Sequence, residues 1–255
     1  MSLSGPLLFV RYAYPPNRLG YCGPADSAAF GEYGVAGTVD GGLLQLARQF
    51  SGAWPYLELI AAGTGIRDPL DRRVVEAYWV GNRLLDTIPL TQVADSMEER
   101  FRPRVGTRFG WLADGVLQGG VPHHSFHVFG VYPWVGLLGD DRKADKALTV
   151  LDRCRIRWGQ VTAVHDRQLT VRSRPLHWDG CLLTLGAPVV EFAEAPVAGP
   201  DGIAVGDWVS LHWHWVCDRL TGRQLRALRG YTLHHLELVN HRVEHSGPAL
   251  ALGTG

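Results

Sequence analysis

The sequence predicts an α+β protein, with a mainly helical N-terminal domain followed by a small β-barrel and a C-terminal helix. Three observations predict it. Apolar residues recur at helical spacing through most of the first half, short β-rich runs broken by turn signals take over after about residue 147, and a Leu-rich helical pattern returns after Thr221.

In chain order, residues 38–51 place Leu43, Leu44, Leu46, Ala47 and Phe50 on one helical face, and Trp54 to Ala62 repeats the pattern after a Ser-Gly break. Asp68-Pro69 reads as N-cap and first helical residue of a segment carrying Leu70, Val74, Ala77, Tyr78 and Leu85. Thr91 to Phe101 reads as an amphipathic helix stopped before Pro103, and a further short helix is expected at 107–118. Gly139 to Lys146 is charged and holds both lysines, which suits a solvated linker. The expected division is therefore 1–146 for the helical domain, 147–245 for the barrel with its terminal helix, and 246–255 for a flexible tail. Within the second part, Ala147 to Val164, Gln168 to Arg172, Cys181 to Leu185, Val189 to Ala193 and Trp208 to Trp215 read as strands separated by turns such as Asp179-Gly180. Thr221 to about Asn240 carries Leu225, Leu228, Leu233, Leu236 and Val239 in a helical pattern that Gly230 is expected to interrupt.

Composition narrows function by exclusion. With 255 residues, 25 Lys+Arg, 25 Asp+Glu and 46% hydrophobic residues, the chain can bury a core without staples and lacks the basic excess that phosphate-backbone binding needs. No nucleic-acid partner is expected. The apolar run Leu7-Leu8-Phe9-Val10 is broken by Arg11, so neither a signal peptide nor a membrane span is expected and the chain reads as cytoplasmic. Cys22, Cys154, Cys181 and Cys217 lie far apart without a CxxC pair, which suits reduced thiols. No G-x-G-x-x-G, P-loop or G-x-S-x-G motif occurs.

Two segments in the second half carry a resemblance. Cys154-Arg155-Ile156-Arg157-Trp158-Gly159-Gln160-Val161 has a cysteine entering a strand, with a glycine five residues on and a valine two after that. Val205-Gly206-Asp207-Trp208-Val209-Ser210-Leu211-His212 follows about fifty residues later. Over roughly residues 148–240 the chain resembles the HypC/HupF family of [NiFe]-hydrogenase maturation chaperones, with its C-x-x-x-P-G-x-V start, V-G-[DQ]-[WY]-V-x-[VL]-H strand and terminal helix. Trp158 stands where that motif has proline, and Cys154 is internal where the family's cysteine follows the initiator methionine. The resemblance implies an OB-like β-barrel and a metallochaperone rather than an enzyme. It implies iron as cofactor, carried as a transient Fe(CN)2(CO) unit, with a HypD-like scaffold and the hydrogenase large-subunit precursor as partners. It assigns the iron ligands to Cys154 and His212, with His214 as substitute because alternation puts it on the same strand face, opposite Trp213 and Trp215. The two ligands are expected to meet on the barrel surface.

The helical half has its own cluster. His123, His124 and His127 are its only histidines, and with Cys22 in the tight Gly20-Tyr21-Cys22-Gly23-Pro24 segment they are expected to form a separate metal or docking site. The alternative function is accordingly a metal-dependent enzyme using this histidine cluster in the same cofactor pathway, and a third possibility is a pure interaction module.

Overall fold

The computed structural model of the chain describes residues 3–89, 91–96, 99, 118–196 and 202–245. Residues 107–117 of the helix expected at 107–118, most of 97–101 and the tail at 246–255 lie outside the described residues. Helix α1 (Gly5–Arg18) is the structural centre of the first half, with twelve of its residues buried, Phe9 and Val10 completely. Its last turn contains Pro15 and Pro16. A proline has no N–H to give to the carbonyl four residues back, so the Tyr12 carbonyl is left free within the helix.

Around α1 pack α2 (Ser27–Ala36), α3 (Gly41–Arg48), α4 (Trp54–Gly63) and α5 (Arg72–Trp79). Short aspartates start three of them. Asp26 accepts from the Ala29 N–H, Asp40 from Gly42 and Leu43, and Asp71 from Arg73, each satisfying amides that a helix start leaves orphaned. The expected cap at Asp68 is corrected by this: Asp68 instead accepts from the Leu70 N–H in the preceding turn, and the helix begins three residues later. Residues 91–96 are helical as expected.

Helix α6 (Ala144–Cys154) corrects the strand reading of 147–156. Ala147, Val150, Leu151 and Cys154 are all buried, and their spacing of three, four and seven residues is one helical face. The strands begin only at β1 (Arg157–His165), followed by β2 (Gln168–Ser173), β3 (Leu176–Trp178), β4 (Leu183–Leu185), β5 (Val189–Glu194), β6 (Trp208–His212) and β7 (Trp215–Arg219). Five of them pair in the order β1-β2-β5-β7-β6, and β6 pairs back to β1, so the ladder closes on itself. All neighbours are antiparallel except β5 and β7, which meet in parallel at Glu194 and Trp215. Gly159 of the cysteine segment is required where β1 crosses β2, because a Cβ there would lie 2.2 Å from Val171 Cγ1. β3 and β4 form a separate hairpin against α6 and α7 (Gly222–His245).

The terminal helix runs without a break through Gly230. It opens on a capping box: the Thr221 N–H donates to Gln224 Oε1 at 3.0 Å and the Gln224 N–H to Thr221 Oγ1 at 3.3 Å. No helix among the described residues is long and apolar enough to cross a membrane.

Three apolar clusters hold these elements. One joins α1, α3, α4 and α5 to Ile156, Trp158, Cys217, Leu220, Leu225 and Leu228. A second joins Val128, Phe129 and Val135 to α6, the β3-β4 hairpin, Trp213 and Leu236. The third fills the strand ring with Val161, Leu169, Val171, Val209, Leu211 and Val216. Residues on both sides of position 146 thus share two cores, and the exposed segment 139–146 leads straight into α6.

Candidate metal centre

The site is built where these cores meet. Cys154 is the last residue of α6, and the chain turns extended at Arg155 to enter β1. His212 is the last residue of β6, just before a two-residue turn, Trp213-His214, that leads into β7. His124 opens a one-turn helix, His124–Phe126, whose N-terminus is capped by the His123 ring accepting from the Ser125 N–H at 3.1 Å. One donor atom each of His124, Cys154 and His212 lies within 4.8 Å of the other two, and all three side chains are buried. Among the described residues this is the one group of three such side chains.

Hydrogen bonds fix which ring nitrogen holds the proton. His212 Nδ1 lies 2.6 Å from the Tyr12 carbonyl, the one that Pro16 leaves free, and a carbonyl can only accept. The proton is therefore on Nδ1, and the Nε2 lone pair is buried without a hydrogen-bond partner. His124 Nε2 donates to the Cys154 carbonyl at 2.8 Å, which leaves its Nδ1 lone pair to accept from the Tyr78 hydroxyl at 3.1 Å. These are the outer contacts that orient imidazole ligands in metal sites. Aromatic rings close the shell: Trp79 lies 4.5 Å from the His124 ring and 5.6 Å from the His212 ring, and stacks on Tyr12.

Electrostatics keep every donor neutral. Burial pushes the His124 imidazole down to about 4, and burial followed by repulsion from His124 pushes His212 well below its ordinary value. Burial, reinforced by the nearby Cys22, raises the Cys154 thiol far above its ordinary range. The His212 imidazole thus presents a free lone pair, the one on His124 Nδ1 is held by the Tyr78 hydroxyl, and the Cys154 thiol keeps its proton.

A small cavity of about 20 Å³ adjoins the group, room for one water-sized body, and Cys22, His127 and Tyr132 line it together with all three donors. His127 Nδ1 lies 3.3 Å from the Tyr56 hydroxyl, and its Nε2 is buried without a partner.

The chain matches one protein family over residues 1–246, described as "Family of unknown function (DUF6390)". It belongs to that family. No curated protein and no solved structure matches. The family match runs through the helical half and the strand half of this DUF6390 chain alike, and the His124/Cys154/His212 group draws on both.

Several sequence expectations change with this geometry. The two sites read from sequence share residues: His124 from the helical half lies with Cys154 and His212 from the strand half, and Cys22 and His127 line the same cavity. Cys154 and His212 are 8% and 0% exposed, so they meet in the interior and not on a barrel surface. His123 points elsewhere, onto Ser125 Oγ at 2.7 Å and the Tyr231 ring. His214 is exposed and does not share a strand face with His212, because Trp213 adopts φ 54° and turns the chain, pairing His212 with Trp215. Sequence reasoning read Tyr78 as a packing residue of its helix and gave no site role to it, Tyr12 or Trp79. The one signal for them was Pro16, four residues beyond Tyr12, which marks a free carbonyl without showing what fills it.

A donor set of one thiol and two imidazoles, with no carboxylate, suits a borderline or soft divalent ion such as Fe²⁺, Co²⁺ or Zn²⁺ over a hard one. The orphaned His212 Nε2 fits such an ion directly.

Proposed function

We propose that this DUF6390 protein is a non-enzymatic metal carrier that holds a transition-metal ion through His124, Cys154 and His212. The observation that carries the reading is the convergence of those three donors around the unpartnered Nε2 of His212. Its cargo in this reading is iron for [NiFe]-hydrogenase maturation. What supports that cargo is the resemblance to HypC/HupF chaperones: the cysteine that opens one motif and the histidine that closes the other are the residues that meet. The five-stranded ring, with Cys154 just ahead of its first strand, is then an OB-like barrel, and the chain a cytoplasmic protein serving a HypD-like scaffold and the large-subunit precursor.

A thiolate donates strongly to soft low-spin iron, and a neutral imidazole adds a ligand without adding charge. The buried, largely aromatic surroundings of the donors suit an oxygen-sensitive ion. They also limit what enters: a cavity of about 20 Å³ takes an ion or a single small ligand, so an iron carrying cyanide and carbon monoxide requires the walls to part. The same lack of room for an organic substrate favours a carrier over an enzyme.

The test is anaerobic purification from a hydrogenase-producing host, followed by metal analysis and infrared spectroscopy in the window of bound cyanide and carbon monoxide. Bound iron with diatomic bands in the wild type, both lost in Cys154→Ala, is the expected result. Wild-type protein that takes up neither Fe²⁺ nor Co²⁺ under reducing, oxygen-free conditions overturns the metal reading. Normal hydrogenase maturation in the Cys154→Ala host overturns the pathway.

A further inference from the structure

Three neutral donors with a single thiol leave a divalent ion short in two respects. A tetrahedral site needs a fourth ligand. One thiolate cancels only one of the ion's two charges, and no carboxylate belongs to the group, so a net positive charge would stay buried at high cost. A second thiolate supplies both.

Cys22 lies outside the 4.8 Å group but lines the cavity beside it, so it is the thiol that can move in to supply that thiolate. It is half-buried, where the other three are buried, and it lines the cavity they share. Its loop is built. Asn17 Nδ2 donates to the Cys22 carbonyl at 2.8 Å and to the Pro24 carbonyl at 2.7 Å, holding the loop to the end of α1. Gly23, at φ +89°, packs so closely on Phe50 that a Cβ would lie 2.3 Å from its ring, and Gly20 turns the chain at φ +76° on the other side of Cys22. Both positions require glycine's freedom in the left-handed region. Between them Tyr21 stacks on Trp213 at 4.2 Å, tying the loop to the turn that follows His212. Two residues that line this cavity, His212 and His127, each keep a buried Nε2 without a partner, an independent sign that the cavity is made to receive something.

We propose that Cys22 is the fourth ligand of the ion held by His124, Cys154 and His212, giving a neutral two-imidazole, two-thiolate site in which Cys22 is the exchangeable arm at the solvent side. The inference rests on the metal reading above. On binding, each of the two thiols loses its proton to solvent, so two protons leave per divalent ion and the charges sum to zero.

Anaerobic titration of the full chain with Co²⁺ tests this, because thiolate-to-cobalt charge-transfer absorbance scales with the number of bound thiolates. The expected result is that Cys22→Ser and Cys154→Ser each lower the near-ultraviolet band about twofold at saturation, that proton release falls from two to one, and that the exposed His214→Ala variant matches wild type. Alkylation with iodoacetamide read by mass spectrometry gives a second measure, with Co²⁺ shielding both Cys22 and Cys154 in the wild type. A Cys22→Ser protein with the full band and full proton release overturns the inference, as does Cys22 alkylated at the same rate with and without Co²⁺. A one-thiolate band in the wild type overturns it while sparing the three-residue site; no cobalt binding at all overturns both.

Discussion

Two buried polar groups sit side by side at the end of α6, and they solve opposite problems. Arg155 gives two hydrogen bonds to Asp152 Oδ1, at 3.2 and 2.9 Å, and a third to the Arg174 carbonyl at 2.7 Å, while the same aspartate oxygen accepts from the Leu176 N–H. Charge meets charge and the group is complete within the protein. Cys154, one residue away, belongs to a group whose members are all neutral, with donor atoms within 4.8 Å of one another and the Nε2 of His212 unmatched. A buried polar group that completes itself holds a fold; one whose acceptors converge unmatched has room for an outside partner.

The largest test of that contrast is to remove one member from each. Asp152→Ala leaves the Arg155 guanidinium buried without its counter-charge, although burial already draws it down to about 10, and is expected to cost about 3 to 5 kcal/mol, read as a fall in the denaturation midpoint. Cys154→Ala removes a sulfur atom from a packed site and is expected to cost only about 1 to 2 kcal/mol, with metal uptake lost. Equal destabilisation by the two variants would erase the distinction.

Acid sharpens the comparison at intermediate size. Burial pushes His123 and His127 down to about 3 and His124 to about 4, and also holds His212 and His235 well below their ordinary value, so these rings stay neutral in the folded chain. Their ordinary value in an unfolded chain is about 6.5, so between that and about 4 the unfolded state binds more protons. Stability is therefore fully present above pH 6.5 and falls as pH drops below it, by up to about 1.4 kcal/mol per pH unit for each ring. Urea midpoints at pH 7, 6 and 5 should fall steeply, and a flat profile would show the rings to be accessible. Metal uptake moves in the same direction for a different reason: the raised thiol holds its proton against the ion, so cobalt affinity should climb as pH rises.

The smallest effect is expected at Tyr78. Phe in its place keeps the ring against His124 and removes only the hydroxyl that occupies the Nδ1 lone pair, so stability should move by no more than about 1 kcal/mol while cobalt binds slightly tighter. Weaker binding would mean that the hydroxyl orients the ring and does not compete for it.

The sequence showed some elements plainly and hid others for physical reasons. α3, α4 and α7 were legible because one face is apolar and the starts carry capping residues or proline. α1 was not, because it is buried on nearly all sides and so has no polar stripe, and because Pro15-Pro16 reads as a break. α6 passed for a strand because Thr149 and Val150 favour extended chain locally, while its helical face becomes apparent only against a core. Cys154 and His212 were found as a pair through motif resemblance. That His124 joins them, and that His123 beside it does not, depends on a one-turn helix aiming successive side chains in different directions, which periodicity in so short a segment cannot reveal. The exchange of His214 for a turn position hinged on the left-handed backbone of a tryptophan, a conformation no composition rule assigns to it.

The position of the donors along the chain sets a timetable. Cys22, His124, Cys154 and His212 come from four segments, and the last of them stands at the end of β6, where it is held by a carbonyl near the chain's beginning. During synthesis the first thiol emerges early and waits through most of translation before its companions exist. A nascent chain stopped short of β7 has no paired turn to fix His212, so it has soft ligands but no pocket. In the proposed carrier, cargo is taken up only once the turn into β7 has formed, and possession of the ion marks the folding of that turn.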